Sequence, residues 1–148
     1  MTTQILYFSG TGNSLVVARD IARRSGGEPV PIGTLADRER ITVTADVVGI
    51  VYPVYFTTLP VIVQELAAKL ENISDTYLFA VATYGGSAGI SFKQLDRLLA
   101  ARGGTLAACY GVHMTQNAFR KPWENAAKLT VRWRGKLDTL LEKPGRTI

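Results

Sequence analysis

Apolar residues along the chain follow two patterns that alternate from one end to the other. Short unbroken runs bounded by glycine, proline or polar residues predict strands, and longer stretches with apolar residues every three to four positions predict helices. Strands are predicted at 4–8, 29–32, 46–52, 76–83 and 105–112, and helices at 13–24, 60–70, 91–102 and 123–142. The helix stripes are Leu15, Val16, Ala18, Ile21 and Ala22 in the first, and Phe92, Leu95, Leu98 and Leu99 in the third. Leu129, Val131, Trp133, Leu137, Leu140 and Leu141 form the stripe of the last. Glycine pairs at 26–27 and 103–104 act as stops, and Pro60 suits a first helical turn. Only 33–45 is weakly patterned; it predicts a single helical turn at 34–37.

Alternating strands and helices predict an α/β fold, a doubly wound five-stranded parallel sheet covered on both faces. The run Val47-Val48-Gly49-Ile50-Val51 predicts a central strand. Ligands of such sheets sit outside the carboxyl ends of the strands, near the reversal in strand order. Three loops directly follow strands at that edge: 9–14, 53–59 and 83–89.

Composition narrows the class. The 148 residues fit one domain, 1–148, and a chain of this size buries roughly 68–70% of its unfolded surface. No apolar run approaches the ~18 residues of a membrane span, and no basic segment precedes an apolar stretch at the N-terminus. A soluble, cytoplasmic protein without membrane contact is therefore expected. The one cysteine, Cys109, excludes an internal disulfide and a cysteine-ligated iron–sulfur cluster, and is expected as a small apolar strand residue. The formal charge is +5, yet there is no run of five Lys or Arg, so nucleic acid is not an expected partner. The charge instead favours encounters with acidic partners.

The first loop, Ser-Gly-Thr-Gly-Asn-Ser, carries the most specific chemistry. Gly10 and Gly12 permit a close backbone approach, while Ser9, Thr11, Asn13 and Ser14 add side-chain donors beside the free amides of a helix start. This is a phosphate cradle. A P-loop would need a lysine, and none lies between Gln4 and Lys69; a dinucleotide fingerprint would need a third glycine where Leu15 stands. One terminal phosphate, as on a mononucleotide such as FMN, suits what remains.

Taken together, the Ser-Gly-Thr-Gly-Asn-Ser turn, the Tyr-Pro-Val-Tyr-Phe loop and the Ala-Thr-Tyr-Gly-Gly-Ser loop resemble the flavodoxin-like family. The likeness is nearest to the flavodoxin module of proteins that fuse it to a bacterial-type ferredoxin. It covers nearly the whole chain and implies strand order 2-1-3-4-5, with FMN as cofactor. It further implies phosphate binding at Ser9, Gly10, Thr11, Gly12, Asn13 and Ser14, and a flavin ring held between two loops. Tyr55 or Phe56 would lie on one side and Tyr84 on the other, with Pro53, Val54, Thr57, Thr83, Gly85 and Gly86 contributing backbone contacts. The implied function is electron transfer between redox proteins, with an acidic ferredoxin or an iron–sulfur domain as partner; an NAD(P)H-dependent FMN reductase acting on quinones is the alternative.

Two departures stand out. The chain lacks the cluster cysteines of the fusion proteins, and Thr57-Thr58 occupy a loop that often carries glycine in the family. A residue other than glycine makes a positive-φ turn costly, so weaker stabilisation of the neutral one-electron-reduced flavin is expected. His113, the only histidine, is expected to be structural. Asn117, Phe119 and Lys121 could shape the partner surface, and Trp123 and Trp133 are expected as core or rim anchors.

Overall fold

The computed structural model describes residues 2–10, 13–54 and 57–113. In chain order the elements are β1 (Thr3–Tyr7), α1 (Asn13–Ser25), β2 (Glu28–Pro31), a 3-10 turn (Ile32–Leu35), β3 (Ile41–Thr42), β4 (Val47–Pro53), α2 (Val61–Lys69), β5 (Leu70–Glu71), β6 (Tyr77–Tyr84), α3 (Ser91–Ala100) and β7 (Leu106–His113). Five strands form one parallel sheet in the order β2-β1-β4-β6-β7. Counting only those five, this is the expected 2-1-3-4-5. The predicted helix at 123–142, with its two tryptophans, and the loop residues Asn117, Phe119 and Lys121 lie outside the described residues.

β4 is the centre of the sheet, and every residue from Val48 to Pro53 is buried. The pleat divides its side chains between two cores. On one face Ile5, Val51, Phe79 and Val81 meet Val17, Ala18, Ile21 and Ala22 of α1. On the other, Leu6, Val48, Ile50, Leu78 and Ala80 meet Val63, Leu66 and Ala67 of α2 and Leu95 and Leu99 of α3. Leu95 and Leu99 are fully buried, which is worth roughly 1.5–3 kcal/mol for each side chain. Gly49 is dictated by its neighbour across the sheet: a Cβ there would run into the Phe79 ring, including Cε1 at 2.9 Å. Phe79 fills the space that Gly49 leaves empty.

The α1 stripe differs from the sequence expectation. Val17 is fully buried and Val16 is 42% exposed, because the helix turns the 14, 17, 18, 21 and 22 positions toward the sheet. This is the i, i+3, i+4 spacing started one residue earlier.

The 33–45 connection holds more structure than its pattern predicts. The turn falls at Ile32–Leu35, and β3 pairs in parallel with β5, right after α2, to form a separate two-stranded sheet. Two-residue strands are too short to leave a period in the sequence. Asn72, at φ +64°, donates from its side chain to the Val43 carbonyl and ties the two segments further. Arg102, just beyond α3, donates to the Leu70 carbonyl at 3.0 Å and reaches Glu71, which also faces Arg40. All of these ties lie at the amino edge of the main sheet. Gly103, at φ +84°, ends α3 as expected, with the Gly104 amide bonded to the Leu99 carbonyl.

Candidate functional site

Strand order reverses between β1 and β4, so the crevice expected for a ligand opens above their carboxyl ends. The Phe8 amide continues the pairing with a bond to the Val51 carbonyl, after which Ser9 and Gly10 leave the sheet and Asn13 opens α1. Thr11 and Gly12 lie outside the described residues. The first turn of α1 has no acidic residue, so no carboxylate within that turn offsets the positive end of the 13-residue helix dipole. Ser14 is placed differently from a free phosphate donor. It is 1% exposed and its hydroxyl lies 2.9 Å from that of Thr83, itself 3% exposed. One hydrogen of this pair is taken by the shared bond, leaving the other for a ligand or a neighbour. The bond joins the first loop to the start of the third.

The second loop begins on the same residue. Pro53 is the last residue of β4 and sits opposite Thr83, and the Val54 amide donates to the Thr83 carbonyl at 2.8 Å. Tyr55 and Phe56 lie outside the described residues. Thr57 is exposed and adopts φ +67°, a left-handed conformation costly for a β-branched side chain. The sequence placed a non-glycine residue here; the structure puts that residue in the region where glycine is at an advantage. Its carbonyl accepts the Ile90 amide at 3.1 Å. Two residues on, the buried Leu59 receives Gln94 Oε1 on its amide and Gln64 Nε2 on its carbonyl, each at 2.8 Å.

The third loop leaves β6 at Tyr84. The Tyr84 ring packs across β7, where a Cβ at Gly111 would lie 2.9 Å from its Cε1, and it meets the His113 ring edge-on at a centroid distance of 5.6 Å. Gly85 is held in turn: its carbonyl lies 2.6 Å from His113 Nε2, which therefore carries the hydrogen and donates it. Space beside Gly86 is open, and the Gly89 amide bonds to the Ser87 hydroxyl. His113 is thus the last residue of β7 and a brace for the third loop. Its partner is a backbone carbonyl, which no residue type announces in the sequence. Gly89, Ile90 and Gln94, which hold the second loop, were missed as well; the only signal for them was their place at the start of an amphipathic helix after a strand.

No charged side chain occurs in 2–18, 47–64 or 76–92, the segments that lead into and out of these loops. Before residue 114 the chain has nine basic and nine acidic residues; from 114 to 148 it has eight and three, so the whole net charge comes from the last segment. Val61 and Ile90 expose 66% and 53% of their surface at this edge. Among the described residues no group of three His, Cys, Asp or Glu could hold a metal. Burial, helped by Asp96, pushes the Cys109 thiol up to about 11, so it is no ready nucleophile. None of the described helices is long and apolar enough to cross a membrane.

Neither protein-family models nor curated proteins match the chain. Solved structures do. A flavodoxin from Fusobacterium nucleatum bound to flavin mononucleotide superposes with TM-score 0.62 at 13% identity, over 98% of this chain and 99% of that one. Two-electron reduced flavodoxin from Megasphaera elsdenii gives 0.54 at 19% identity, over 91% and 99%. An azoreductase from Bacillus anthracis gives 0.61 at 11% identity, over 95% and 98%. With the sheet order found above, these likenesses establish that the chain has the flavodoxin-like fold.

Proposed function

We propose that the chain binds FMN at the carboxyl edge of its sheet and carries electrons between redox proteins in the cytoplasm. The observation that carries this reading is the convergence of the three loops on Thr83, which meets Ser14 through its side chain and Val54 through its carbonyl. These two bonds tie together the ends of the three loops that this reading assigns to the phosphate and the ring. The donor set fits the group. Ser9, Gly10, Thr11, Gly12, Asn13 and Ser14 would hold the phosphate on amides, hydroxyls and a helix N-terminus, and the ring would lie between 53–57 and 83–86. A flat neutral heterocycle asks for aromatic faces and backbone groups rather than ions, and the segments 2–18, 47–64 and 76–92 that carry the three loops hold no charged residue. Bound FMN supplies the redox chemistry; the protein's residues position it and shield it. The test is a visible spectrum after incubation with FMN and gel filtration. Flavin absorbance that elutes with the protein supports the reading, and a colourless protein overturns it.

Partner recognition follows from the same edge. The exposed Val61 and Ile90 offer apolar contact there, and the chain's formal charge of +5 draws an acidic ferredoxin or an iron–sulfur domain, on a separate chain or fused to the module. Binding to an acidic ferredoxin should weaken as salt is raised; salt-independent binding refutes the electrostatic half.

The likeness to an azoreductase favours a second reading, an NAD(P)H-dependent FMN reductase acting on quinones. Rapid NADPH oxidation by the FMN-loaded protein with a quinone would select it over the carrier.

A further inference from the structure

The second and third loops are joined directly, through backbone and side-chain contacts of their own. Thr57 and Gly89 both adopt left-handed backbone, at φ +67° and +56°. They pack so closely that a Cβ on Gly89 would meet the Thr57 Cβ and carbonyl oxygen and lie 2.7 Å from its Cα. Beside this contact the Ile90 amide donates to the Thr57 carbonyl at 3.1 Å. A second tie runs the same way: Gln94, one turn into α3, accepts the Leu59 amide at 2.8 Å. Two hydrogen bonds and a steric contact therefore fasten the second loop to the start of α3. Left-handed backbone on a β-branched residue persists only where its surroundings over-determine it, and here those surroundings are Gly89 and Ile90, with Gln94 holding Leu59 two residues on.

We infer that Thr57, Gly89 and Gln94 are positioning residues that latch the second and third loops into one body, so that the gap between them is set before any ligand enters. The inference rests on the reading that a flavin ring lies between those loops. A gap fixed in advance lowers the ordering cost of binding, and it leaves the Thr57 carbonyl committed to Ile90 instead of free to turn toward a ligand. The two loops should open together or not at all.

The test is amide hydrogen exchange on the full-length, ligand-free chain, read at Leu59 and Ile90, with FMN titrations alongside. Gly89→Ala forces Thr57 away, and Gln94→Ala removes the acceptor for Leu59. Each should speed exchange at both amides by about tenfold or more, while Ile50 and Ala80 in the central strands keep wild-type rates. FMN affinity should fall in step. If Gln94→Ala speeds Leu59 and leaves Ile90 unchanged, the loops are independent and the latch is wrong. Coupled exchange with unchanged FMN affinity overturns the positioning role. Should Gly89→Ala fail to fold, Gln94→Ala decides the matter, since it alters a half-buried side chain and no glycine. Wild-type protein that retains no FMN counts against the proposed cofactor, and exchange at the two amides still decides whether the loops are coupled.

Discussion

Removing the Ser14 hydroxyl isolates the bond that joins the first loop to the third. In Ser14→Ala the Thr83 hydroxyl, 3% exposed, loses its partner at 2.9 Å and remains shut away from water. An orphaned buried hydroxyl costs about 1–3 kcal/mol. Thr83→Val, similar in shape, orphans Ser14 by the same amount. With both hydroxyls gone nothing is left unsatisfied, so the double variant should lose no more than either single one. The coupling energy from the cycle is then about 1–3 kcal/mol, read by urea denaturation of the ligand-free protein. For a chain of this length each kcal/mol also moves the melting temperature by roughly 2–4 °C. Binding separates two roles for Ser14. If its hydroxyl serves mainly to hold Thr83, both single variants should weaken FMN binding alike; if it also donates to the phosphate, Ser14→Ala should weaken it further than Thr83→Val. Additive losses of stability, with the double variant equal to the sum, would refute the claim that these hydroxyls depend on each other.

Thr57→Gly should relieve a left-handed backbone costing about 1–2 kcal/mol against about 0.5–1 kcal/mol of extra chain entropy, so thermal stability should hold or rise slightly. In an optical redox titration the same variant should raise the fraction of one-electron-reduced flavin, and an unchanged fraction would separate Thr57 from the redox behaviour. Gly111→Ala places a methyl 2.9 Å from the Tyr84 ring and should cost about 1–3 kcal/mol, with a changed near-ultraviolet dichroism from the displaced tyrosine. A stability equal to wild type would show that the ring does not rest on Gly111. Cys109, with its thiol at about 11, should react with iodoacetamide only slowly at pH 8 and rapidly as pH approaches that value, because burial favours the neutral thiol. Fast alkylation of native protein at pH 8 would contradict the half-buried strand position.

What could be read from residue order alone was periodic or motif-based. The five apolar runs became the five strands of the main sheet, and the glycine stops after α1 and α3 held. The edge on which the three loops gather followed from strand–helix alternation, since each loop leaves a strand at its carboxyl end. What escaped was contact between segments distant in sequence. Ser14 and Thr83 are 69 residues apart, and no local pattern marks them as partners. The partner of His113, a carbonyl of Gly85, 28 residues away, has no residue signature. The Tyr84 ring rests on Gly111 and His113, a consequence of a missing Cβ on the adjacent strand that residue order does not announce. β3 and β5 were invisible because two residues make no period.

The small β3–β5 sheet bears on how this scaffold can be altered. Together with Asn72, Arg102 and Gly104 it fastens the connections at the end of the molecule remote from the three loops. Substitutions that harden this end, such as a tighter turn at 36–40 or a better partner for Glu71, should raise heat tolerance without touching the crevice, since sites that share no neighbours add independently. The loops can then be exchanged, lengthened or randomised to change what the protein takes up, with the stability they lose restored from the opposite end.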